Sequence, residues 1–251
     1  MIKHTVKILK KEWLSADIFS LEFNLPGLHP TPGQFFQVRI NETFDPLLNR
    51  PISIADYEKT RVSMVIKVVG KGTELLSKKK VGEELIVYGP LGRRLKIENK
   101  NSLLIAGGIG VAPLFFLAKR LKRAWIDFTF VYGARNPSAL VLKDEIEKLT
   151  SNVIFITETG GKKSGTALSV LSELNLTVYE IGYACGPKAM LKELQKLNLG
   201  FPIYAFCEDF LGCGCGLCLG CAIKYYGRYQ RICEDGPVFE LKGIEFDGGD
   251  I

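Results

Sequence analysis

Six of the seven cysteines fall within 27 residues (Cys207, Cys213, Cys215, Cys218, Cys221 and Cys233), and only Cys185 stands apart. Gly212, Gly214, Gly216 and Gly220 punctuate the same stretch, so it is too short and too poor in apolar side chains to build its own core. Something else must hold it together. The chain opens Met1-Ile-Lys-His-Thr5, with no apolar signal core. The longest uncharged run, residues 101–118, contains three glycines and Pro113 and falls short of the roughly 20 mainly apolar residues of a membrane span. The expectation is a soluble, cytoplasmic protein with no membrane segment, where crowded cysteines point to metal ligation and not to disulfides.

The spacing narrows the metal. Cys213, Cys218, Cys221 and Cys233 read C-x4-C-x2-C-x11-C, the plant-type run for a [2Fe–2S] cluster with a distant fourth thiolate. Two readings compete. Cys215, Cys218 and Cys221 open a C-x2-C-x2-C run of the bacterial [4Fe–4S] type, but position 225 is Tyr where the next cysteine would stand. Zinc on four thiolates is the other, although ribbons of that kind show two C-x2-C pairs and this tail does not.

Charge and histidine content remove other chemistry. With 33 Lys+Arg against 27 Asp+Glu the net charge is +6, and the longest basic block is Lys78-Lys79-Lys80, so a nucleic-acid face is not expected. Only His4 and His29 are present, both far from every motif. A histidine triad or a multi-histidine metal site is not expected.

Three segments follow from the rhythm of the chain. Residues 1–98 hold short β-branched and aromatic runs, such as Phe35–Ile40, Val62–Val69 and Glu84–Tyr88, punctuated by Pro26-Gly27, Pro32-Gly33 and Gly89-Pro90. They predict an antiparallel β-barrel. Residues 99–200 alternate strands near 102–106, 128–132, 153–157 and 180–184 with helices near 140–149, 165–173 and 187–198. Leu114, Leu117, Ala118 and Leu121 add a helical stripe, so an α/β parallel-sheet nucleotide-binding domain is expected. Residues 201–251 form a small C-terminal lobe.

Motifs fall in each of the first two segments. Arg50-Pro-Ile-Ser53 places an arginine suited to a pyrophosphate and a hydroxyl near it. Gly70-Lys-Gly-Thr73 opens a helix whose free N–H groups suit a phosphate. Gly107-Gly-Ile-Gly-Val-Ala-Pro113 lies between strand and helix, the setting of a dinucleotide turn, although proline replaces the final glycine of the standard fingerprint. Cys185-Gly-Pro187 ends a second strand before a helix. Glu158 follows a third and could accept from a ribose diol. Each motif alone also fits an ordinary turn, and Cys185 alone fits a small buried hydrophobe.

In order, R-P-I-S with G-K-G-T, G-G-I-G-V-A-P with C-G-P, and a tail ending Cys233-Glu-Asp-Gly-Pro-Val-Phe239 resemble the ferredoxin-reductase-like flavoproteins. Within them the chain is most similar to the electron-transfer subunits of type B dihydroorotate dehydrogenase, over essentially its whole length. That resemblance implies FAD held by Arg50, Pro51, Ile52, Ser53, Lys67, Val68, Val69, Gly72 and Thr73. It implies NAD at Gly107, Gly108, Gly110, Pro113, Cys185, Gly186 and Pro187, and [2Fe–2S] at Cys213, Cys218, Cys221 and Cys233, with no catalytic acid or base. Two departures stand out: Cys215, where the family's ligand loop has a non-cysteine, and Thr157-Glu-Thr-Gly-Gly161, where an Asp-rich stretch is expected.

The implied activity is electron transfer from the FMN of a catalytic subunit through [2Fe–2S] and FAD to NAD+, in a heterotetramer of two of each chain. Small subunits of a sulfhydrogenase, an anaerobic sulfite reductase or a bifurcating transhydrogenase share these cofactors. A zinc-tailed regulatory protein sensing dinucleotides is the remaining alternative.

Overall fold

The computed structural model describes residues 1–40, 43, 45–161 and 163–246; residues 247–251, the end of the expected third segment, lie outside them. Period-two alternation builds the first unit. β1 (Lys3–Trp13), β2 (Ile18–Asn24), β3 (Phe35–Arg39), β4 (Arg50–Glu58), β5 (Arg61–Lys67) and β6 (Glu84–Leu91) close a barrel in the order β1-β2-β5-β4-β3-β6. All its pairings are antiparallel. Phe19, Leu21 and Phe23 of β2, Phe36 and Val38 of β3, and Val62, Met64 and Ile66 of β5 fill its interior. α1 (Lys71–Lys78) joins β5 to β6. Gly89-Pro90, expected as a turn, lies inside β6. The β3–β6 register slips there, between Phe35 and Gln37, and such a bulge is where a sheet tolerates proline.

The second unit begins with β7 (Ser102–Gly107), α2 (Val111–Arg123), β8 (Phe128–Ala134), α3 (Lys143–Glu147), β9 (Val153–Thr157), β10 (Ile181–Cys185) and α4 (Lys188–Lys196). Every residue of β7, β8 and β10 is buried, as expected of a parallel sheet covered on both faces. The helix expected near 165–173 is instead a turn followed by a three-residue 3-10 segment, Leu171–Glu173. The Ser169 hydroxyl accepts from the Thr166 N–H and donates to the Thr166 carbonyl, local bonds that compete with helix.

Beyond residue 200 come β11 (Ile203–Phe206), β12 (Ala222–Tyr225), β13 (Arg228–Arg231), α5 (Ile232–Asp235), β14 (Val238–Glu240) and β15 (Ile244–Glu245). β11 pairs parallel with β10, and β14 pairs antiparallel with β11. The sheet therefore reads β14-β11-β10-β7-β8-β9, and the small lobe is left with the strands β13-β12-β15, the helix α5 and the cysteine loop among the described residues. Among the described residues no helix is long and apolar enough to cross a membrane.

Barrel and sheet share apolar contacts through α2. Leu114, Leu117 and Ala118 pack with Leu104 and Phe130 of the sheet, and Ile18, Ala55 and Val65 of the barrel join the same cluster. Phe116 inserts into the barrel core and is 1% exposed. Lys119 pairs with Asp56, and Arg123 with Glu58 at 2.9 Å, flanking the contact. Replacing Phe116 by Ala is expected to cost about 3–5 kcal/mol, read as a lowered thermal midpoint and greater proteolysis between the two units.

Candidate functional site

Two cavities open where the sheet edge meets the barrel. The first, of about 310 Å³, is lined on the barrel side by Arg50, Pro51, Ile52, Ser53, Lys67, Val69 and Thr73. Ligand pockets are of this size. β4 presents Ser53 because its neighbours Ile52 and Ile54 belong to the barrel core, while Arg50 lines the cavity from the first residue of the strand. Gly72 lies against the Arg50 guanidinium: a Cβ there would sit 2.3 Å from Arg50 Nε and displace it. Arg50 donates through Nη1 to the Leu48 carbonyl at 2.6 Å. The Thr73 hydroxyl accepts from the N–H groups of Val69 and Gly70 at 2.9 and 3.2 Å, which shapes the turn into α1. Val68 does not line the cavity; its N–H donates to the Asp17 carbonyl.

The second cavity, about 470 Å³, is lined by Gly107, Gly108, Gly110, Cys185, Gly186 and Pro187. The two strand-end turns touch. A Cβ on Gly110 would lie 2.3 Å from the Cys185 carbonyl oxygen, and one on Gly186 would lie 2.5 Å from Met190 Cε. Pro113 faces the first cavity, beside Ala112 and Ile109, because the start of α2 turns toward the barrel. Glu158 lies apart from both cavities, its N–H bonded to the Ala134 carbonyl.

One wall serves both cavities: Lys67, Ile109, Cys207, Glu208, Asp209 and Ile232. Sequence reasoning found Lys67 but not the end of β11, although that strand finishes on the same sheet edge as β7 and β10. Strand order was the missing signal. Glu208 is open to the solvent of the cleft yet ringed by protein, and that desolvation raises its pKa. Burial likewise pushes the Cys207 thiol up to about 12, and Cys185 upward as well, which favours the neutral thiol over the thiolate.

Leu211 and Ile232 line the first cavity and stand next to the cysteine loop in sequence. The loop also meets the barrel directly. Gln37 of β3, wholly buried, donates through Nε2 to the Leu211 carbonyl at 3.4 Å. Gly214, at φ +73°, lies so close that a Cβ would sit 2.6 Å from Gln37 Cγ.

The thiols come as two pairs. Cys213 Sγ accepts from the Cys218 N–H at 3.4 Å, and Cys218 Sγ accepts from the Cys213 N–H at 3.5 Å. Cys221 and Cys233 hold their sulfurs 3.3 Å apart. Among the described residues no three or more His, Cys, Asp or Glu converge to hold one metal ion. Pairs suit a two-iron unit, in which each iron takes two thiolates. Burial disfavours the Cys213 thiolate, but N–H groups of Cys215, Cys218 and Leu217 outweigh it and bring the pKa to about 6. Cys215 differs: it contributes its N–H to Cys213 Sγ at 3.4 Å, while burial and the neighbouring Cys213 raise its own pKa.

Residues 5–95 match the oxidoreductase FAD-binding domain, and residues 104–196 the oxidoreductase NAD-binding domain. Residues 208–245 match the iron-sulfur cluster binding domain of dihydroorotate dehydrogenase B. The dihydroorotate dehydrogenase B (NAD(+)) electron transfer subunit homolog of Aquifex aeolicus is 33% identical, over 95% of this chain and 96% of its own. The corresponding subunit of Clostridium acetobutylicum is 37% identical over 83% of both chains. A solved structure of NADH-dependent reduced ferredoxin-NADP oxidoreductase, described for flavin-based electron bifurcation, superposes with a TM-score of 0.88 at 31% identity. It covers 96% of this chain and 89% of that one. Phthalate dioxygenase reductase shares the fold, with a TM-score of 0.66 at 22% identity over 83% and 70% of the two chains. FAD, NAD and an iron–sulfur cluster are the cofactors of these domains.

The contact between the strand-end turns is backbone against backbone, so it has no slack. Gly110→Ala is expected to destabilise by about 1–3 kcal/mol, the usual cost of overpacking. Thermal unfolding of the variant against Gly70→Ala, whose extended backbone suits any residue and whose Cβ would meet nothing within 4 Å, checks it.

Proposed function

Because the chain belongs to the family of electron-transfer subunits of type B dihydroorotate dehydrogenase, we propose that it links a dihydroorotate-oxidising FMN subunit to NAD+. The observation that carries the reading is the shared wall: the thiol loop abuts the first cavity, and the first cavity abuts the second. When bound, the [2Fe–2S] cluster and FAD supply the exchange between one-electron and two-electron chemistry that such a link requires.

The residues of the chain bind and orient. Arg50 offers a bidentate guanidinium to the FAD pyrophosphate, and Gly72 leaves it room. Ser53, Lys67, Val69 and Thr73 line the same groove, with Pro51 and Ile52 as its apolar floor. Gly107, Gly108 and Gly110 give NAD close backbone approach, while Cys185, Gly186 and Pro187 face its nicotinamide end. Cys213 with Cys218 and Cys221 with Cys233 are the ligand pairs, and Cys215 supports the first pair through its backbone. Units 1–98, 99–200 and 201–251 thus serve FAD, NAD and cluster in turn.

A partner is required to bring electrons to the cluster. Phe210 precedes the thiol loop and Leu217 and Leu219 lie within it, and they are 92%, 83% and 64% exposed, apolar surface that favours docking of a catalytic subunit there. A heterotetramer of two of each chain, in the cytoplasm, completes the proposal. The 31% identical bifurcating relative supports a second reading, the same electron relay serving a different partner subunit.

The first test is anaerobic titration of the purified chain with NADH, followed by visible absorption and low-temperature EPR. A bleached flavin band followed by a signal from two irons is expected. Response to dithionite but not to NADH would remove NAD from the reading, and a colourless zinc protein would end it. Reconstituted with an FMN subunit, the chain should couple dihydroorotate oxidation to NAD+ reduction; failure with that partner alone favours the second reading.

The ligand pairs make a sharper prediction. Cys215→Ser keeps the two-iron EPR signal and Cys213→Ser loses it. The reverse result would transfer the ligand role to Cys215.

A further inference from the structure

Arg231 ends β13, one residue before the helix that carries Cys233, and its guanidinium is engaged on several sides. Its Nε lies 3.1 Å from Asp235 Oδ2 and its Nη2 3.5 Å from Asp235 Oδ1. The Arg231 N–H donates to Asp235 Oδ2 at 2.9 Å, and Nη1 lies 2.7 Å from Glu234 Oε2. Asp235 is held in turn by Arg93, 3.5 Å away, on the connector that leaves the barrel.

The same Nη1 reaches into the cysteine loop and donates to the Gly216 carbonyl at 3.4 Å. Gly216 sits between the first two thiols of the run, and its N–H donates to the sulfur of the last one, Cys233, at 3.1 Å. Gly216 has φ +79°, and a Cβ would lie 1.6 Å from Glu234 Oε2 and 3.0 Å from Arg231 Nη1. One guanidinium thus bridges the loop bearing the early thiols to the helix bearing the late one. It also places one positive charge among two carboxylates on residues that flank Cys233 in the chain.

We infer that Arg231 is a positioning residue for the cluster: it clamps Gly216 so that the N–H stays on Cys233, and it offsets the charge of Glu234 and Asp235. The inference rests on the reading of Cys233 as a cluster ligand. N–H groups and positive charge beside the sulfurs stabilise the reduced, more negative form, so the clamp raises the reduction potential. Lysine keeps the charge but not the planar fork that matches Asp235.

EPR-monitored redox titration of the cluster-loaded chain tests this, on wild type, Arg231→Gln, Arg231→Lys and Glu234→Gln, with iron counted in each. Expected are a negative shift in Arg231→Gln, a smaller negative shift in Arg231→Lys and a positive shift in Glu234→Gln. Opposite signs for neighbouring residues are what a purely structural role would not produce. If Arg231→Gln fails to hold iron, Arg231→Lys and Glu234→Gln decide by the same signs. Unmoved potentials, or shifts of one sign, overturn the inference while leaving the ligand reading intact. A wild type without a two-iron signal overturns the ligand reading itself.

Discussion

Helix α2 is buried on two sides at once, and the placement of both cavities depends on it. Leu114, Leu117 and Ala118 face the sheet, whereas Phe116 enters the barrel. A surface helix would carry one apolar stripe; this one is apolar over nearly its whole first two turns, from Val111 to Ala118. Its first residues continue directly from the Gly107–Gly110 turn. Seating the helix between barrel and sheet therefore fixes that turn against Cys185 and turns Pro113 toward the flavin groove.

The cysteine segment is held from outside. At its start Phe206 lies in the sheet, and the Cys207 N–H donates to the Pro237 carbonyl at 2.8 Å. At its end β14 pairs with β11, and Phe239 packs against Tyr225 with ring centroids 5.2 Å apart. Residues 208–237, which include β12, β13 and α5, are thus an excursion from the sheet whose two ends meet. The closure entropy is met by sheet pairing and apolar contact, which a glycine-rich tail cannot supply itself. Inside the loop, order comes from N–H groups aimed at sulfur and from the charged cluster around Arg231.

Much of the architecture was legible because it rests on local periodicity. The β-branched and aromatic runs Phe35–Ile40, Val62–Val69 and Glu84–Tyr88 reported barrel strands, and the apolar runs of β7, β8 and β10 reported a parallel sheet. Reading failed where local bonds compete. Ser169 draws Thr166 into a turn that has the composition of a helix, and a bulge carries β6 through Gly89-Pro90. The site was legible in part for the same reason. Arg50, Ser53, the glycine turn and the cysteine spacing are marked by residue type. Phe206–Asp209 are marked only by the order of strands in the sheet, which no window of sequence contains.

By itself the sequence determined that three units follow one another, that thiols would crowd at the end, and that glycines would allow backbones to approach ligands. These follow from side-chain period, spacing and the absence of a Cβ, all of them local. Only the tertiary structure decided which thiols pair and which of Cys213 and Cys215 turns its sulfur to Cys218. It also decided that Arg231 reaches Gly216 and that Pro113 belongs to the barrel side. Those outcomes depend on distances between segments far apart in the chain, set by how α2 and β14 pack, and such distances exist only once the chain is folded.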